Sequence, residues 1–256
     1  MKILVLVLVS LLAMLQDGSA LLAGEAVSGY DYLQPDMQAM QDDLFSNPGM
    51  LVVEQGKSLF STPGKNGKSC ADCHGKDGSR LDAKHIARYP VYSDRLKQPV
   101  TLHGQIQYCW KERLGNSPIT YQGEKLLPLE SFVRYLARGE SVNVDAGGAL
   151  APYYAAGREL FRKRFGQVDI ACYQCHDLHA GQMFRGQVLS QGQTNGFPVY
   201  RYTEGQVTGL QERITQCLTK LRAEPFGEDS PEYLDLEVYL SARSNGLPIE
   251  TPAVRY

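Results

Sequence analysis

The chain has 256 residues, with 26 Lys and Arg against 28 Asp and Glu, for a formal net charge of −2. That balance gives no electrostatic basis for nucleic-acid binding, and a charged fraction of 21% with 15 Tyr argues against a wholly disordered chain. The length accommodates one large domain or two of roughly 100 residues each.

Residues 1–23 place one basic residue, Lys2, before an apolar run from Ile3 to Leu15, followed by the small residues Gly18, Ser19 and Ala20. This is the pattern of a secretory signal peptide, with cleavage candidates after Ala20, Ala23 and Ala26. The run is too short for a comfortable membrane span, so the mature protein is expected to be soluble and periplasmic, with no membrane partner. Residues 24–47 are polar and read as an arm, or as short helices packed on the domain after them. Asn47-Pro48 suits a helix start, Asn as N-cap and Pro at the first position, leading to Phe60. Thr62 to Gly67 is a loop by composition and delivers the chain to Cys70-Ala71-Asp72-Cys73-His74.

Residues 75–125 carry little periodicity, as expected where a cofactor supplies part of a small core. A helix is predicted over 129–138, with Leu129, Phe132, Val133 and Leu136 on one face and Gly139 as its stop. Residues 140–151 read as a linker. A second helix runs from Pro152 to Phe165, with Arg162, Lys163 and Arg164 favourably placed at its C-terminal end. Cys172-Tyr173-Gln174-Cys175-His176 comes next. Residues 186–203 are expected to form a structured loop over a cofactor. Ser230-Pro231 opens a final helix over 231–243, with Leu234, Val238 and Leu240 as apolar contacts and Asn245-Gly246 as its stop; the Pro-containing tail packs back on the body.

Six cysteines in an exported chain suggest disulfides first, but four of them lie in two CxxCH motifs. Two thiols spaced by two residues reach both vinyl groups of a haem, and the next residue, His, sits under the iron. Two complete copies predict two covalent haem c groups: Cys70 and Cys73 with His74, and Cys172 and Cys175 with His176. A zinc site or a redox dithiol is the weaker reading of CxxC. The repeat extends further, because Gly56-Lys57-Ser58-Leu59-Phe60 and Gly157-Arg158-Glu159-Leu160-Phe161 begin 101 residues apart. The expected fold is therefore mainly α, with two tandem cytochrome c-like domains, residues 48–146 and 147–256, and long haem-wrapping loops.

The distal ligands decide the redox character. No Met occurs after His74 until Met183, and His179 and Met183 lie too close to His176 in sequence to reach the opposite haem face. Cys109 and Cys217 each lie between a haem motif and a terminal helix, which predicts His/Cys ligation at both irons and low potentials. His85 and His103 remain rivals at the first haem, and a Cys109–Cys217 disulfide is the structural alternative. On a helix, Arg213 and Cys217 share a face, so Arg213 is placed to lower the thiol pKa and hold a small anion. Arg222 and Lys220 are further candidates for that basic patch, or are solvated surface charges.

GKSCADCHG at 67–75, ARYPVY at 87–92, ACYQCHD at 171–177, SQGQTNGFPVYR at 190–201, RITQCLTKLRAEPF at 213–226 and LPIETPAVR at 247–255 together resemble the SoxA family of bacterial sulfur-oxidising cytochromes. The resemblance covers nearly all of the mature chain. It implies a complex with the cytochrome SoxX and oxidative coupling of thiosulfate to a cysteine of the carrier SoxYZ. It also implies that Cys217 is a persulfide-modified catalytic haem ligand, that Arg213 is the substrate arginine, and that Cys109 is the distal cysteine of the additional haem. A di-haem thiosulfate dehydrogenase forming tetrathionate, or a simple electron shuttle, are the alternatives.

Overall fold

The repeat in the sequence reappears as two helix pairs built on the same contact. A computed structural model describes residues 25–121 and 123–256, so the expected signal peptide lies outside the described residues. In the first unit, α2 (Met50–Ser61) packs on α6 (Leu126–Tyr135); in the second, α7 (Ala151–Arg162) packs on α10 (Pro231–Ala242). Each pair touches backbone to backbone at its glycine. A Cβ on Gly56 would lie 1.9 Å from Pro128 O, and one on Gly157 would lie 2.0 Å from Asp235 O. One turn later an aromatic pair closes each contact: Phe60 meets Phe132 and Phe161 meets Tyr239, both with centroids 5.2 Å apart. The Gly-x-x-Leu-Phe segment therefore encodes a close helix crossing in both units.

Before these pairs lie a single 3-10 turn (Gly29–Tyr32) and α1 (Pro35–Asp42). The first unit then adds α3 (Cys70–His74), α4 (Ala83–Ile86), the hairpin β1 (Val91–Ser93) and β2 (Gln98–Val100), and α5 (Leu102–Tyr108) running into a π-helical turn at Cys109–Arg113. The second adds the hairpin β3 (Arg164–Phe165) and β4 (Ile170–Ala171), α8 (Cys172–His176), the hairpin β5 (Met183–Phe184) and β6 (Gln187–Val188), β7 (Val199–Arg201), β8 (Gln206–Thr208), α9 (Leu210–Lys220) and β9 (Ala253–Arg255). Strand β7 pairs antiparallel with β8 and parallel with β9, with Val199 opposite both Thr208 and Ala253. None of the described helices is long and apolar enough to cross a membrane.

Two expectations need correction. The first long helix starts at Met50, not Pro48; Asn47 caps the preceding turn by accepting from Gly49 N (2.9 Å). The predicted linker is held at its first half: Val142 N donates to Leu247 O and Asn143 N to Ala87 O, while Val142 and Val144 are buried in the first core with Ile249. The arm forms short helices, as expected, and reaches the first unit where Arg138 Nη2 donates to Gln41 O (3.4 Å); it also packs on the C-terminal tail, where Gln41 Oε1 accepts from Val254 N (2.9 Å) and Asn47 Nδ2 donates to Pro252 O (2.8 Å). The helix α10 faces α7 with Leu236, Tyr239 and Leu240 and the first unit with Glu237. The tail does fold back, as strand β9.

Candidate functional site

Each CxxCH forms one helical turn, and each turn is started by an equivalent hydrogen bond. Asp72 accepts from Ser69 N (2.7 Å), and Ser69 Oγ accepts from Asp72 N (3.3 Å), a reciprocal capping box. The backbone and hydroxyl donors of Ser69 hold the Asp72 carboxyl below the usual range. In the second unit Gln174 Oε1 accepts from Ala171 N (2.8 Å) at the matching positions. Burial, with the nearby Cys109 sulfur, pushes the Cys70 thiol up to about 11; burial, with the nearby Cys217 sulfur, pushes Cys172 up to about 12.

Phe60 and Phe161 back the two histidines, with centroids 6.3 Å from His74 and 6.4 Å from His176. Burial lowers the pKa of both imidazoles, which favours the neutral, metal-ligating form. His176 Nδ1 meets Ser190 O at 2.7 Å, which orients the ring and leaves Nε2 for a metal. Gly192, at φ +77°, lies so close that a Cβ would sit 3.3 Å from His176 Cγ. Part of the loop expected to arch over the cofactor therefore supports this histidine from behind. Arg243 completes that support: it lies 4.8 Å over the Phe161 ring and donates to Asp177 (2.6 Å) and Gln191 O (3.1 Å).

Cys109 opens the π-helical turn after α5, a distortion common at functional positions. Its sulfur is within electrostatic reach of Cys70 and Cys73, accepts from Gln105 Nε2 (3.3 Å), and has its thiol pKa raised by burial. Cys217, on α9, stands in the same relation to Cys172 and Cys175. All six cysteines are free, so the alternative Cys109–Cys217 disulfide is not formed. The rival His103 is buried and committed to Asp229 (3.0 Å) and Glu237, while His85 is exposed and edge-on to Tyr89. His179 and Met183 are exposed, Met183 to 64%.

Around Cys217 the charges form a chain. Arg213 Nη1 donates to Gln216 Oε1 (3.1 Å), Gln216 Nε2 donates to Glu204 Oε2 (3.3 Å), and Glu204 Oε1 lies 3.6 Å from Arg201 Nε. Arg201 is buried on β7; burial and the Arg213 charge lower its pKa to about 10, and it also senses the Cys217 sulfur. Two guanidinium groups thus stand beside one sulfur, Arg201 facing the Glu204 carboxylate and Arg213 linked to it only through Gln216, an arrangement suited to a small anion. Arg201 carried no helical spacing by which sequence could find it. Arg222 is not part of this chain: it is exposed, left-handed at φ 57°, and donates to Gln167 (3.5 Å).

A CxxCH turn with largely half-buried thiols, a neutral backed imidazole and a further cysteine within reach fits c-type haem in both units.

The family model for the SoxA/TsdA cytochrome c domain matches residues 55–142 and 156–249, one match per unit. The L-cysteine S-thiosulfotransferase subunit SoxA of Pseudaminobacter salicylatoxidans is 38% identical over 234 residues, covering 90% of this chain and 81% of that protein. The subunit of the same name from Paracoccus pantotrophus is 33% identical over 230 residues, covering 90% and 79%. The crystal structure of SoxXA from P. pantotrophus superposes with a TM-score of 0.84 at 31% identity, covering 90% of this chain and 87% of that one. With its duplicated cytochrome c domain and this degree of identity to curated relatives, the chain belongs to the SoxA family.

Proposed function

We propose that the chain is the catalytic subunit of a periplasmic L-cysteine S-thiosulfotransferase, which joins thiosulfate to a cysteine of a SoxYZ-type carrier. The observation that carries this reading is the Arg213–Cys217–Arg201 grouping beside the second CxxCH. The names borne by its relatives support the same reaction. A SoxX-type cytochrome is the partner, by analogy with the SoxXA complex it superposes on.

Cys70, Cys73, His74 and Cys109 would hold one haem c, and Cys172, Cys175, His176 and Cys217 the other. Bound there, haem supplies one-electron acceptors and a path toward the partner cytochrome. The protein's own residues do the rest. Arg213 and Arg201 neutralise the thiosulfate dianion and fix its orientation. The Cys217 sulfur marks where the outer sulfur of thiosulfate meets the carrier thiol. One S–S bond forms, the carrier thiol loses its proton, and two electrons leave, so that thiol plus thiosulfate become the carrier S-thiosulfonate, one proton and two electrons.

Cys217→Ala, with both CxxCH motifs retained, tests the proposal. Haem absorbance should persist while carrier-dependent thiosulfate oxidation is lost; undiminished oxidation rejects the role of Cys217. Tetrathionate formation by the wild type at the same rate without carrier would instead establish thiosulfate dehydrogenase activity.

A further inference from the structure

The helix that carries Arg213 and Cys217 begins without a cap of its own. Its N-cap is Gly209, which has no side chain with which to accept a hydrogen bond. The acceptor comes from the first unit, where Tyr121 Oη accepts from Gln211 N at 3.0 Å. Glycine at position 209 lets this contact form, because a Cβ there would lie 2.3 Å from Tyr121 Oη and 2.8 Å from Leu127 Cδ2 and would displace the tyrosine hydroxyl. Tyr121 is 2% exposed, so this contact is sealed from water.

A second tie lies beside it. Gln211, six residues before Cys217, donates to Asp229 Oδ1 (3.2 Å) and Glu237 Oε1 (2.8 Å) and accepts from Asp229 N (3.1 Å). His103, six residues before Cys109, bonds the same Asp229 Oδ1 (3.0 Å), and its other ring nitrogen is 3.9 Å from Glu237 Oε2. Gln107 from the His103 helix donates to Asp229 Oδ2 (3.2 Å). The Tyr121 ring stands edge-on to His103 with centroids 4.8 Å apart. Equivalent positions on the two cysteine-bearing helices therefore share two carboxylates.

We infer that Tyr121 and His103, both from the first unit, are positioning residues for Cys217, capping and clamping the helix that brings Cys217 and Arg213 to the second CxxCH. This rests on the role proposed above for Cys217. An eleven-residue helix is marginal alone, and its first-turn N–H groups need partners. Arg213 is the fourth residue of that helix, inside the turn that frays when the cap is lost. The first unit thereby has a duty at the second site that does not depend on electron transfer.

The experiment uses the haem-loaded full chain with its partner cytochrome and compares Tyr121→Phe, His103→Leu and His103→Gln with the wild type. Tyr121→Phe keeps the ring and deletes only the acceptor. Amide hydrogen exchange at residues 211–213 is expected to rise about fivefold or more in Tyr121→Phe, the factor expected from losing a typical cap, while exchange in α2 is unchanged. The low-spin electron paramagnetic resonance signal of the second haem should split into more than one form in Tyr121→Phe and His103→Leu. His103→Gln, which still donates to Asp229, should restore a single form. Unchanged exchange at 211–213 with an unchanged second-haem signal in folded Tyr121→Phe overturns the inference. If these changes occur but the wild type shows no carrier-dependent activity, the clamp stands and the functional reading falls.

Discussion

Replacing Gly157 by alanine puts a methyl group where the α7–α10 crossing has no room for one. The new Cβ would lie 2.0 Å from Asp235 O and 2.7 Å from Tyr239 Cβ. Neither atom can rotate away, because one is backbone of the neighbouring helix and the other is the first carbon of a side chain on it. The helices must separate by about 1 Å, which also loosens Phe161 against Tyr239 and removes support from His176. Overpacking of a tight core costs about 1–3 kcal/mol and more where backbone blocks relief. The intrinsic helix preference of Ala over Gly returns about 1 kcal/mol. With backbone in the way the upper end applies, and the net loss is about 2 kcal/mol, or roughly 4–8 °C in midpoint for a chain of this size. Thermal and denaturant unfolding of the haem-loaded variant measure it, and Gly56→Ala should behave alike, since its Cβ meets Pro128 O at 1.9 Å. A Gly157→Ala protein as stable as wild type, or more so, would refute the close-crossing argument, because propensity alone predicts a gain.

Other consequences are equally direct. Ser69→Ala removes one half of the capping box at the first CxxCH and should lower stability by about 1 kcal/mol, read from denaturant midpoints. Arg243→Ala takes away the cation over Phe161 and the tie to Gln191 O behind His176; a changed absorption spectrum of the second haem with the first unaffected is expected. Burial opposes charge on His103, but Glu237, Asp229 and Glu130 outweigh it and hold the pKa at about 9, above the ordinary 6.5. The folded state therefore binds the extra proton between those values, so the contribution of His103 is full below pH 6.5 and is lost as pH rises through 9, roughly 3 kcal/mol in all. Glu237, itself raised to about 7 by burial, adds a fall between pH 4.5 and 7. Unfolding midpoints measured from pH 6 to 10 should decline, and His103→Gln should flatten the part above pH 7.

Much of this molecule is written in short-range patterns. The CxxCH turns, the Gly-x-x-Leu-Phe crossings and the stops at Gly139 and Gly246, with φ of +88° at both glycines, depend on local chemistry that spacing reveals. What escaped was held by long-range contacts. Val142 and Val144 sit in a segment with the composition of a linker, yet they are buried because residues 245–249 return to pair with them. His103 looked like a candidate iron ligand because histidine and position allowed it; only the fold brings Asp229, 126 residues away, to occupy it. Arg201 lies on a three-residue strand too short to have a period, and its nearness to Cys217 arises from sheet pairing. Arg222 shows the converse, a basic residue near the right cysteine in sequence whose left-handed backbone turns it to another partner.

Residues 249–255 touch three places at once: Ile249 enters the first core, Val254 N bonds Gln41 of the arm, and Ala253–Arg255 completes the sheet beside Val199. That one stretch therefore fastens the first core, the arm and the sheet of the second unit together, as a drawstring closes a bag. A chain cut short before Ile249 would lose all three closures at once, leaving both units unfastened along the same seam.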